Sequence, residues 1–432
     1  MSGTVREAMT YLRDGRPADA LPLLRRAHEK EPGRPHLQQA LATALLRTGD
    51  PAGALEAFDQ VLKILPCHTP SLHGRALALH GVGDRPGALA TFRDLVALAP
   101  GSWKAWQSIA DITDNESERL DAINQAASIL VRLCANPQAP PPLFEQCTAA
   151  LIHAHDFDTA RNLLERETSR FSSPADALNR LADVHYQSGN FHEAFQLKTK
   201  VLQQSPPGGT PPGEPAGNFD PLAATAALRE LSSLLRNLGI NAFPMAGTLL
   251  GLVREGAPLA SDRDVDVGIL GTARDLPDLA GLIRSHPQLL LRRDARPGGR
   301  YYAVFWGGIA VDLFLFETSG NDHLVYGVSD RPGDIQWKHA RFGLSEASFP
   351  AGTWLVPDNP ERYLGETYGP DWRHPDPGFA SAISSPALFA VDPYARAYYA
   401  VARARKALLA GNRTKATALL SQSPIPVEIL WP

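Results

Sequence analysis

The sequence contains little cysteine and no block of like charges. Its 432 residues include only three cysteines, Cys67, Cys134 and Cys147, without a Cys-x-x-Cys pair. This pattern does not indicate a zinc site; it fits a reducing compartment, where we expect the thiols to fill apolar space. The net charge of −4 and the scattered arginines and lysines give no general electrostatic reason to bind nucleic acid.

Long apolar runs are also missing. No stretch reaches the roughly 18 apolar residues that would predict a membrane-spanning helix. The first residues, MSGTVREAMTYLRDG, lack the apolar core of a signal peptide. The sequence therefore predicts a cytoplasmic protein without a transmembrane segment. Peripheral association with the inner face of a membrane is compatible with this prediction.

The first half of the chain contains an internal repeat. Alanines recur 34 residues apart along two stretches, prolines keep the same step, and glycines stand five residues before four of the alanines. The positions are Ala20, Ala54, Ala88, Ala122, Ala160 and Ala194; Pro32, Pro66, Pro100 and Pro206; and Gly15, Gly49, Gly83 and Gly189. A period of about 34 residues is typical of paired helices that stack on one another.

These positions have distinct physical roles in a helical hairpin. Glycine permits the left-handed conformation that ends a helix, alanine lets the paired helices approach closely, and proline stops the second helix. The pattern resembles the tetratricopeptide repeat family and predicts an all-α solenoid over residues 1–206, in roughly six repeats. Those around Ala122 and Ala160 depart from the consensus. The concave groove of such a solenoid would bind a peptide, a glycan or a second copy; a rigid spacer is the alternative.

Composition and periodicity both change after the repeats. Residues 207–219 are rich in proline and glycine, which predicts a linker. A helix is then predicted, with Asp220 as its N-cap, Pro221 in its first turn and Gly239 after its end. Short β-type runs (NAFPMA, VDVGIL, RYYAVFW and IAVDLFLFE) indicate a mixed sheet in an α+β domain. The predicted domains are 1–206, 207–219, 220–380 and a C-terminal helical segment, 381–432, interpreted as a half-repeat.

Two aspartates alternate with valines in the segment DVDV. Residues two apart share one face of a strand, so Asp264 and Asp266 are predicted to point together while the valines face the core. Two bare carboxylates repel each other, but they become favourable when a divalent cation lies between them and a phosphate. Alone, this pair is a weak signal that a solvated edge or a turn would also explain.

A third aspartate and an upstream glycine–threonine pair strengthen the pattern. Asp312 interrupts the apolar run IAVDLFLFE, where a lone carboxylate is costly without a partner. A neighbouring strand carrying the DVDV pair would supply that partner through a metal ion. Gly247 and Thr248 offer a turn whose backbone N–H groups can approach a phosphate, and Arg254 is placed to meet phosphate oxygens. The combination resembles the nucleotidyltransferase superfamily.

Within that superfamily, one family is most similar. GTLLGLVREG followed by SDRDVDVG resembles the LicD/fukutin family, which typically shows Gly-Thr-Leu-Leu-Gly, an arginine and Trp-Asp-Asp-Asp-Ile-Asp. Residues 349–375 resemble its closing motif, in which Val-Pro precedes Tyr-Leu and Tyr-Gly-x-x-Trp-x-x-Pro. The match covers about residues 222–380. Ser261 and Arg263 stand where the family has tryptophan and aspartate, a departure that bears on donor or acceptor specificity.

The resemblance implies a magnesium-dependent transferase, with Mn²⁺ as an alternative ion. Asp264, Asp266 and Asp312 would hold the metal and act in catalysis, and Asp312 would either complete the metal site or take the acceptor's proton. Phosphocholine, ribitol phosphate or glycerol phosphate would pass from a CDP-linked or other nucleotide-activated donor to the hydroxyl of a glycan or glycolipid. Lys338 and His339 are further candidates for donor binding, with a solvated loop as the alternative.

Two other interpretations of the sequence stay open. A true nucleotidyltransferase would use the same three carboxylates to attack the α-phosphate of a nucleoside triphosphate and would release pyrophosphate. A non-catalytic repeat scaffold with a decayed transferase domain would bind neither magnesium nor a nucleotide. The leaving group released from the donor distinguishes the two enzymes.

Overall fold

The structure of the chain, a computed structural model, consists of two compact units. It describes residues 3–204, 219–272, 276, 278–286 and 289–427. The internal contacts separate Met1–Ala135 from Asn136–Pro432. This boundary falls within the repeats, whereas residues 207–218 of the predicted linker lie outside the described residues, so the domain bounds inferred from the sequence stay a prediction. No helix of the described residues is long and apolar enough to span a membrane.

Helical hairpins form the first unit and continue into the second. In the first unit they are α1 (Gly3–Arg13) with α2 (Pro17–Lys30), α3 (Pro35–Arg47) with α4 (Pro51–Ile64), α5 (Thr69–Gly81) with α6 (Arg85–Leu98), and α7 (Trp103–Ile112) with α8 (Glu116–Cys134). In the second unit they are α9 (Pro141–His153) with α10 (Phe157–Arg166), and α11 (Pro174–Gln187) with α12 (Phe191–Gln204).

The repeat residues adopt the conformations that their spacing predicted. The six repeat alanines have no exposed surface. The four repeat glycines take positive φ angles, from 74° at Gly15 to 88° at Gly83. In the fifth hairpin, His155 stands five residues before Ala160 and takes the left-handed conformation itself, with φ 58°. The helical hairpins predicted from the 34-residue spacing are therefore confirmed.

Close packing between successive hairpins makes Gly74 a sensitive position. A Cβ atom on Gly74 would lie 2.2 Å from the ring of Phe58, which is itself 1% exposed. We expect Gly74→Ala to lower the free energy of unfolding by about 2 kcal/mol, because the steric overlap outweighs the higher helix propensity of alanine. Urea unfolding followed by far-UV circular dichroism measures the change. Gly33→Ala is the control, since a Cβ there meets nothing within 4 Å; equal midpoints for the two variants would contradict the prediction.

The second unit also contains a mixed sheet. The main strands in the described residues are β1 (Ala242–Pro244), β2 (Asp264–Leu270), β3 (Leu289–Leu291), β4 (Tyr301–Trp306), β5 (Ile309–Ser319), β6 (His323–Gly327) and β7 (Gln336–Ala340). They pair in the order β1-β2-β5-β4-β3, with β6 joining the end of β5 and β7 pairing with β6. Among these pairs β2–β5 is parallel and the others are antiparallel. A separate hairpin consists of β8 (Leu344–Phe349) and β9 (Gly352–Pro357).

Seven further helices accompany the sheet in the described residues. They are α13 (Pro221–Asn237), α14 (Ala246–Glu255), α15 (Leu279–Ser285), α16 (Pro360–Tyr368), α17 (Ser381–Ser384), α18 (Pro393–Leu409) and α19 (Arg413–Ser421). The predicted start of α13 is confirmed, because the Asp220 carboxylate accepts a hydrogen bond from the Leu222 N–H at 2.9 Å and Pro221 is the first helical residue. The four predicted strand runs correspond to β1, β2, β4 and β5, which confirms the mixed sheet.

Strand alternation sends apolar and acidic side chains to opposite faces of the sheet. Val265 and Val267 of β2 are fully buried in a core shared with α13, α15 and Val311 of β5. The opposite face carries the predicted aspartates and, farther along β5, Phe314 and Phe316, which pack against α14 and α16. The sheet therefore separates the main apolar core from the acidic side chains, as the period of two predicted.

The C-terminal helices pack against the last repeat hairpin. Within the second unit, α18 lies against α12, and α19 folds back on α18. Gly411 has φ 72° and Ala416 has no exposed surface, so this hairpin keeps the glycine–alanine spacing of the repeats. The shared core includes Ala194, Phe195 and Leu202 on one side and Ala397, Val401 and Ala404 on the other. The C-terminal hairpin and the last repeat hairpin therefore share one apolar core within the second unit.

Candidate active site

The three predicted aspartates lie on neighbouring parallel strands. Asp266 of β2 is directly opposite Asp312 of β5, and Asp264 is opposite Ala310. Paired residues of parallel strands point to the same face, and residues two apart on one strand share that face. All three carboxylates therefore project from one side of the sheet. The register of β2 against β5 thus brings together the three acidic residues that the sequence singled out.

The first turn of α14 holds Asp266 in place. The Gly247 N–H donates to Asp266 Oδ2 at 3.2 Å, and the Asp266 N–H donates to Thr248 Oγ1 at 2.8 Å. The turn predicted at Gly247 and Thr248 is wrong, because both residues belong to the helix Ala246–Glu255. Their polar groups face a carboxylate rather than open space, so their role in the structure is to orient Asp266.

Tyr301 orients the third carboxylate. It lies on β4, the other neighbour of β5, and its hydroxyl donates to Asp312 Oδ1 at 2.9 Å. Burial raises the pKa of Asp312 to about 6, the charge of Asp264 adds to this increase, and the Tyr301 hydrogen bond opposes it. Tyr301 is therefore part of the site, where it contacts one of the three predicted carboxylates.

Asp262 is a fourth carboxylate at this site, and the prediction missed it. Burial raises its pKa to about 6, with further increases from Asp264 and Glu255. Its Oδ2 atom is buried without a hydrogen-bond partner in the structure. A Cβ on Gly247 would lie 3.1 Å from the Asp262 carboxylate, so glycine at 247 leaves room for it. Its place in SDRDVDVG, two residues before Asp264, was the signal that could have identified it.

The carboxylates raise one another's pKa values. Burial raises the pKa of Asp266 well above its usual range, and the charges of Asp264, Asp312 and Asp262 add to that rise. Burial also raises the pKa of Asp264, while the positive charges of Arg403 and Arg263 oppose the change. A site that destabilises several ionised carboxylates at once is suited to a cation.

The carboxylate oxygens of the site are of the kind that binds magnesium, although their arrangement in the structure is not that of a formed metal site. Carboxylate oxygens are the ligands that this hard cation prefers, and the unpaired Asp262 Oδ2 has no other partner to satisfy it. Across the described residues, no group of three or more His, Cys, Asp or Glu side chains already has the arrangement needed to hold a metal ion. A bound cation would replace mutual repulsion by attraction, and the carboxylates would then move closer.

A large cavity opens in front of the carboxylates. It has a volume of about 2320 Å³ and lies entirely within the second unit. Arg254, predicted to bind phosphate, lines it, and so does the exposed Arg263. Arg300 also lines it, with Nε and Nη2 buried and lacking hydrogen-bond partners and only a 3.4 Å contact from Nη1 to Gln336 Oε1. The cavity thus combines carboxylates with guanidinium groups suited to phosphate.

Lys338 and His339 do not join this cavity. Neither is among its lining residues. The Lys338 ammonium lies 4.4 Å from the centre of the Phe389 ring. His339 is 1% exposed and stacks on Tyr363, and burial lowers its pKa. Both residues lie on β7 rather than in a solvated loop. Their contacts in the structure are packing contacts, and the donor contact stays a prediction.

The segment that resembles the family's closing motif packs behind the site. Val356, Tyr363, Leu364 and Trp372 are buried in the aromatic core next to α14. Tyr368 and Trp372 also line the cavity. The motif therefore supports α14 and the carboxylate face.

Comparison with known proteins identifies the repeats. Tetratricopeptide repeat families match residues 11–78, 70–94 and 150–208. The N-terminal part of the chain therefore contains tetratricopeptide repeats, a class typical of scaffolds and protein-interaction modules. These matches lie outside the mixed-sheet domain, and they support a scaffold role better than they support a transferase.

Solved structures match the chain with low similarity. A widely conserved type IV pilus biogenesis factor, PilW, is 20% identical, with 46% of this chain and 90% of that chain covered, at a TM-score of 0.35. A thermophilic tetratricopeptide repeat protein of Thermus thermophilus is 20% identical, with 47% of this chain and 90% of that chain covered, at a TM-score of 0.26. A tetratricopeptide repeat protein from Parabacteroides merdae is 16% identical, with 54% of this chain and 88% of that chain covered, at a TM-score of 0.34. No curated protein sequence matches the chain.

Proposed function

We propose that the chain joins a protein-binding repeat scaffold to a metal-dependent transferase domain. The repeat matches support the scaffold component. The transferase component rests on one observation, the convergence of Asp264, Asp266 and Asp312 on one face of a sheet at the floor of a cavity. Together with the resemblance of GTLLGLVREG and SDRDVDVG to the LicD/fukutin family, this arrangement favours a nucleotidyltransferase-like domain.

In the proposed reaction, an acceptor hydroxyl displaces a nucleotide from a CDP-linked donor. The acceptor oxygen forms a new bond to the phosphorus that carries the alcohol, the bond from that phosphorus to the bridging oxygen breaks, and CMP leaves. Asp264 and Asp266 would hold Mg²⁺, which supplies neutralisation of the pyrophosphate charge when bound. Asp312, oriented by Tyr301, completes this ligand set or accepts the hydroxyl proton. Arg254 binds donor phosphate from the cavity wall.

Identification of the released nucleotide tests the transferase. The full chain is incubated with Mg²⁺ and, separately, CDP-choline, CDP-ribitol, CDP-glycerol and the four nucleoside triphosphates, and the products are identified by mass spectrometry. We expect CMP from a CDP-alcohol, and no CMP when EDTA is present. Because water can replace the unknown acceptor slowly, overnight incubation gives a signal without it. Pyrophosphate release from a nucleoside triphosphate would instead establish the nucleotidyltransferase alternative.

The second candidate is a non-catalytic scaffold whose transferase domain has lost activity. The comparisons favour its scaffold part, because the families that match are tetratricopeptide repeats, which are typical of protein-interaction modules. Ser261 and Arg263, where the family has tryptophan and aspartate, are compatible with altered activity. Calorimetric titration with MgCl₂ and then CDP separates the candidates. A protein that binds neither ligand, and that forms no product above, is the scaffold.

A further inference from the structure

One wall of the cavity is formed by the C-terminal helical hairpin. Tyr399, Arg403 and Lys406 of α18 line the cavity together with Ala410, the C-cap of that helix. Lys415 and Leu419 of α19 line it together with Asn412, the N-cap. Their separations of three and four residues place each set along one helix face. Both helices of the hairpin therefore present a continuous stripe to the same space that the carboxylates face.

This wall is rigidly connected to the last repeat hairpin and to the sheet domain. The Tyr398 hydroxyl donates to Asp183 Oδ1 at 2.5 Å. The Tyr186 hydroxyl donates to Asp334, which lies in the loop between β6 and β7. The Arg396 Nε donates to the Ile383 carbonyl at 2.6 Å. These buried and partly buried hydrogen bonds, beside an alanine-rich helix contact, hold the stripe in position relative to the carboxylates.

The charge of the hairpin has a single sign. Between residues 393 and 421 the sequence contains six arginines and lysines and no aspartate or glutamate. Arg403, Lys406 and Lys415 are exposed, and all three line the cavity. Arg403 lies close enough to Asp264 for its charge to oppose the rise in that carboxyl's pKa. Asp183, which also lines the cavity, is already paired with Lys198 at 2.7 Å.

The volume of the cavity leaves space for more than one ligand. Sites for a single small molecule are commonly about 300–1,000 Å³, and this cavity has about 2320 Å³. The carboxylates and a cation would account for the donor pyrophosphate on the floor. The cations of the hairpin stand on a different wall, and exposed positive charges in a cleft attract negative ligands.

We propose that the hairpin α18–α19 is a substrate-binding wall, on which Arg403, Lys406 and Lys415 bind an anionic group (phosphate, sulfate or carboxylate) of the molecule that reacts at the carboxylates. The reaction that the bound molecule undergoes rests on the proposed function, whereas the binding of an anionic group to the hairpin does not. It makes the C-terminal helices part of the active site and gives the helical portion of the chain a role in choosing the substrate.

Two probes in a binding experiment distinguish the source of the anionic group. Mg²⁺–CDP represents the donor, a heparin tetrasaccharide represents an anionic glycan acceptor, and maltotetraose is the neutral glycan control. Each is titrated calorimetrically into the full chain, into Arg403→Gln/Lys406→Gln and into Arg413→Gln. Arg413 is an exposed cation of the same hairpin that is not among the lining residues of the cavity, so it controls for the loss of a hairpin charge outside the cavity.

The expected result is about a tenfold weaker Kd for at least one anionic probe in the double variant, since each exposed charge contact contributes modestly. The affected probe identifies the donor or the acceptor as the ligand of the wall, and Arg413→Gln should bind like the wild type. Equal affinities in the double variant and the wild type for both anionic probes, or equal weakening by Arg413→Gln, would overturn the proposal. If the double variant weakens binding of the tetrasaccharide while the wild type does not bind Mg²⁺–CDP at all, the substrate-binding wall is supported and the proposed CDP-linked donor is contradicted.

Discussion

Asp266→Asn and Asp312→Asn are each expected to lower CMP release from the reactive CDP-alcohol by at least about 10³-fold, because loss of a carboxylate removes the charge that holds a cation against the pyrophosphate. Asparagine is the appropriate substitution. Its amide oxygen can still accept the Gly247 N–H in one case and the Tyr301 hydroxyl in the other. The change is therefore confined to charge. Steady-state rates measured at saturating Mg²⁺ provide the test.

Asp371→Asn is the matched control for this experiment. Asp371 lines the same cavity, but it is exposed and lies outside the carboxylate face. We expect its rate to stay within about twofold of the wild type, because removal of a solvated charge has a small effect. An Asp266→Asn enzyme that keeps most of its Mg²⁺-dependent activity would remove the proposed catalytic site, whatever the behaviour of the control.

Asp312→Asn should also make the metal-free protein more stable near neutral pH. Burial raises the folded-state pKa of Asp312 from 3.8 to about 6, so the folded protein binds a proton there that the unfolded chain has released. The contribution of Asp312 to the free energy of unfolding is greatest below the pKa that it has in the unfolded chain. This contribution is lost as the pH rises through the pKa that Asp312 has in the folded protein. The variant avoids that fall, and its free energy of unfolding should exceed that of the wild type by about 2 kcal/mol at about pH 7.5.

Urea unfolding in EDTA at about pH 4.5 and about pH 7.5 measures this difference. The gap between variant and wild type should be small at the lower pH and large at the higher one, and Asp371→Asn should show no such gap. Adding Mg²⁺ should then stabilise the wild type and leave Asp312→Asn less affected, because the metal stabilises the folded state by binding it. A pH-independent difference would show that Asp312 is not a destabilised buried acid.

The repeats and the acidic face could be predicted because both depend on short-range periodicity. Gly49 and Ala54 act within one hairpin, where a left-handed residue and a close helix contact are local requirements. Asp264 and Asp266 share a face because the period of a strand is two. Only the register of β2 against β5, which sets Asp266 opposite Asp312, had to be inferred from chemistry, and it is as expected.

The errors in the prediction have a different physical origin. The turn predicted at Gly247 and Thr248 is wrong, because both residues lie in α14 and contact Asp266 across 18 or 19 positions, while phosphate binding there stays a prediction. His339, a candidate for donor binding, packs on Tyr363 of α16, a contact that the sequence did not predict. Each of these contacts joins residues that are distant in sequence. Local patterns carry no information about which distant surface a polar side chain will meet.

The sequence by itself determined the helical hairpins, the alternating strands and the set of acidic side chains, because these follow from backbone geometry and from spacing within a few residues. The tertiary structure alone decided what surrounds the acids. It places Asp262 and Tyr301 beside them and brings Arg403, more than 130 positions after Asp264, to the same cavity. Packing of α18 on α12 fixes that arrangement, and such packing depends on the shapes of whole surfaces rather than on any one segment.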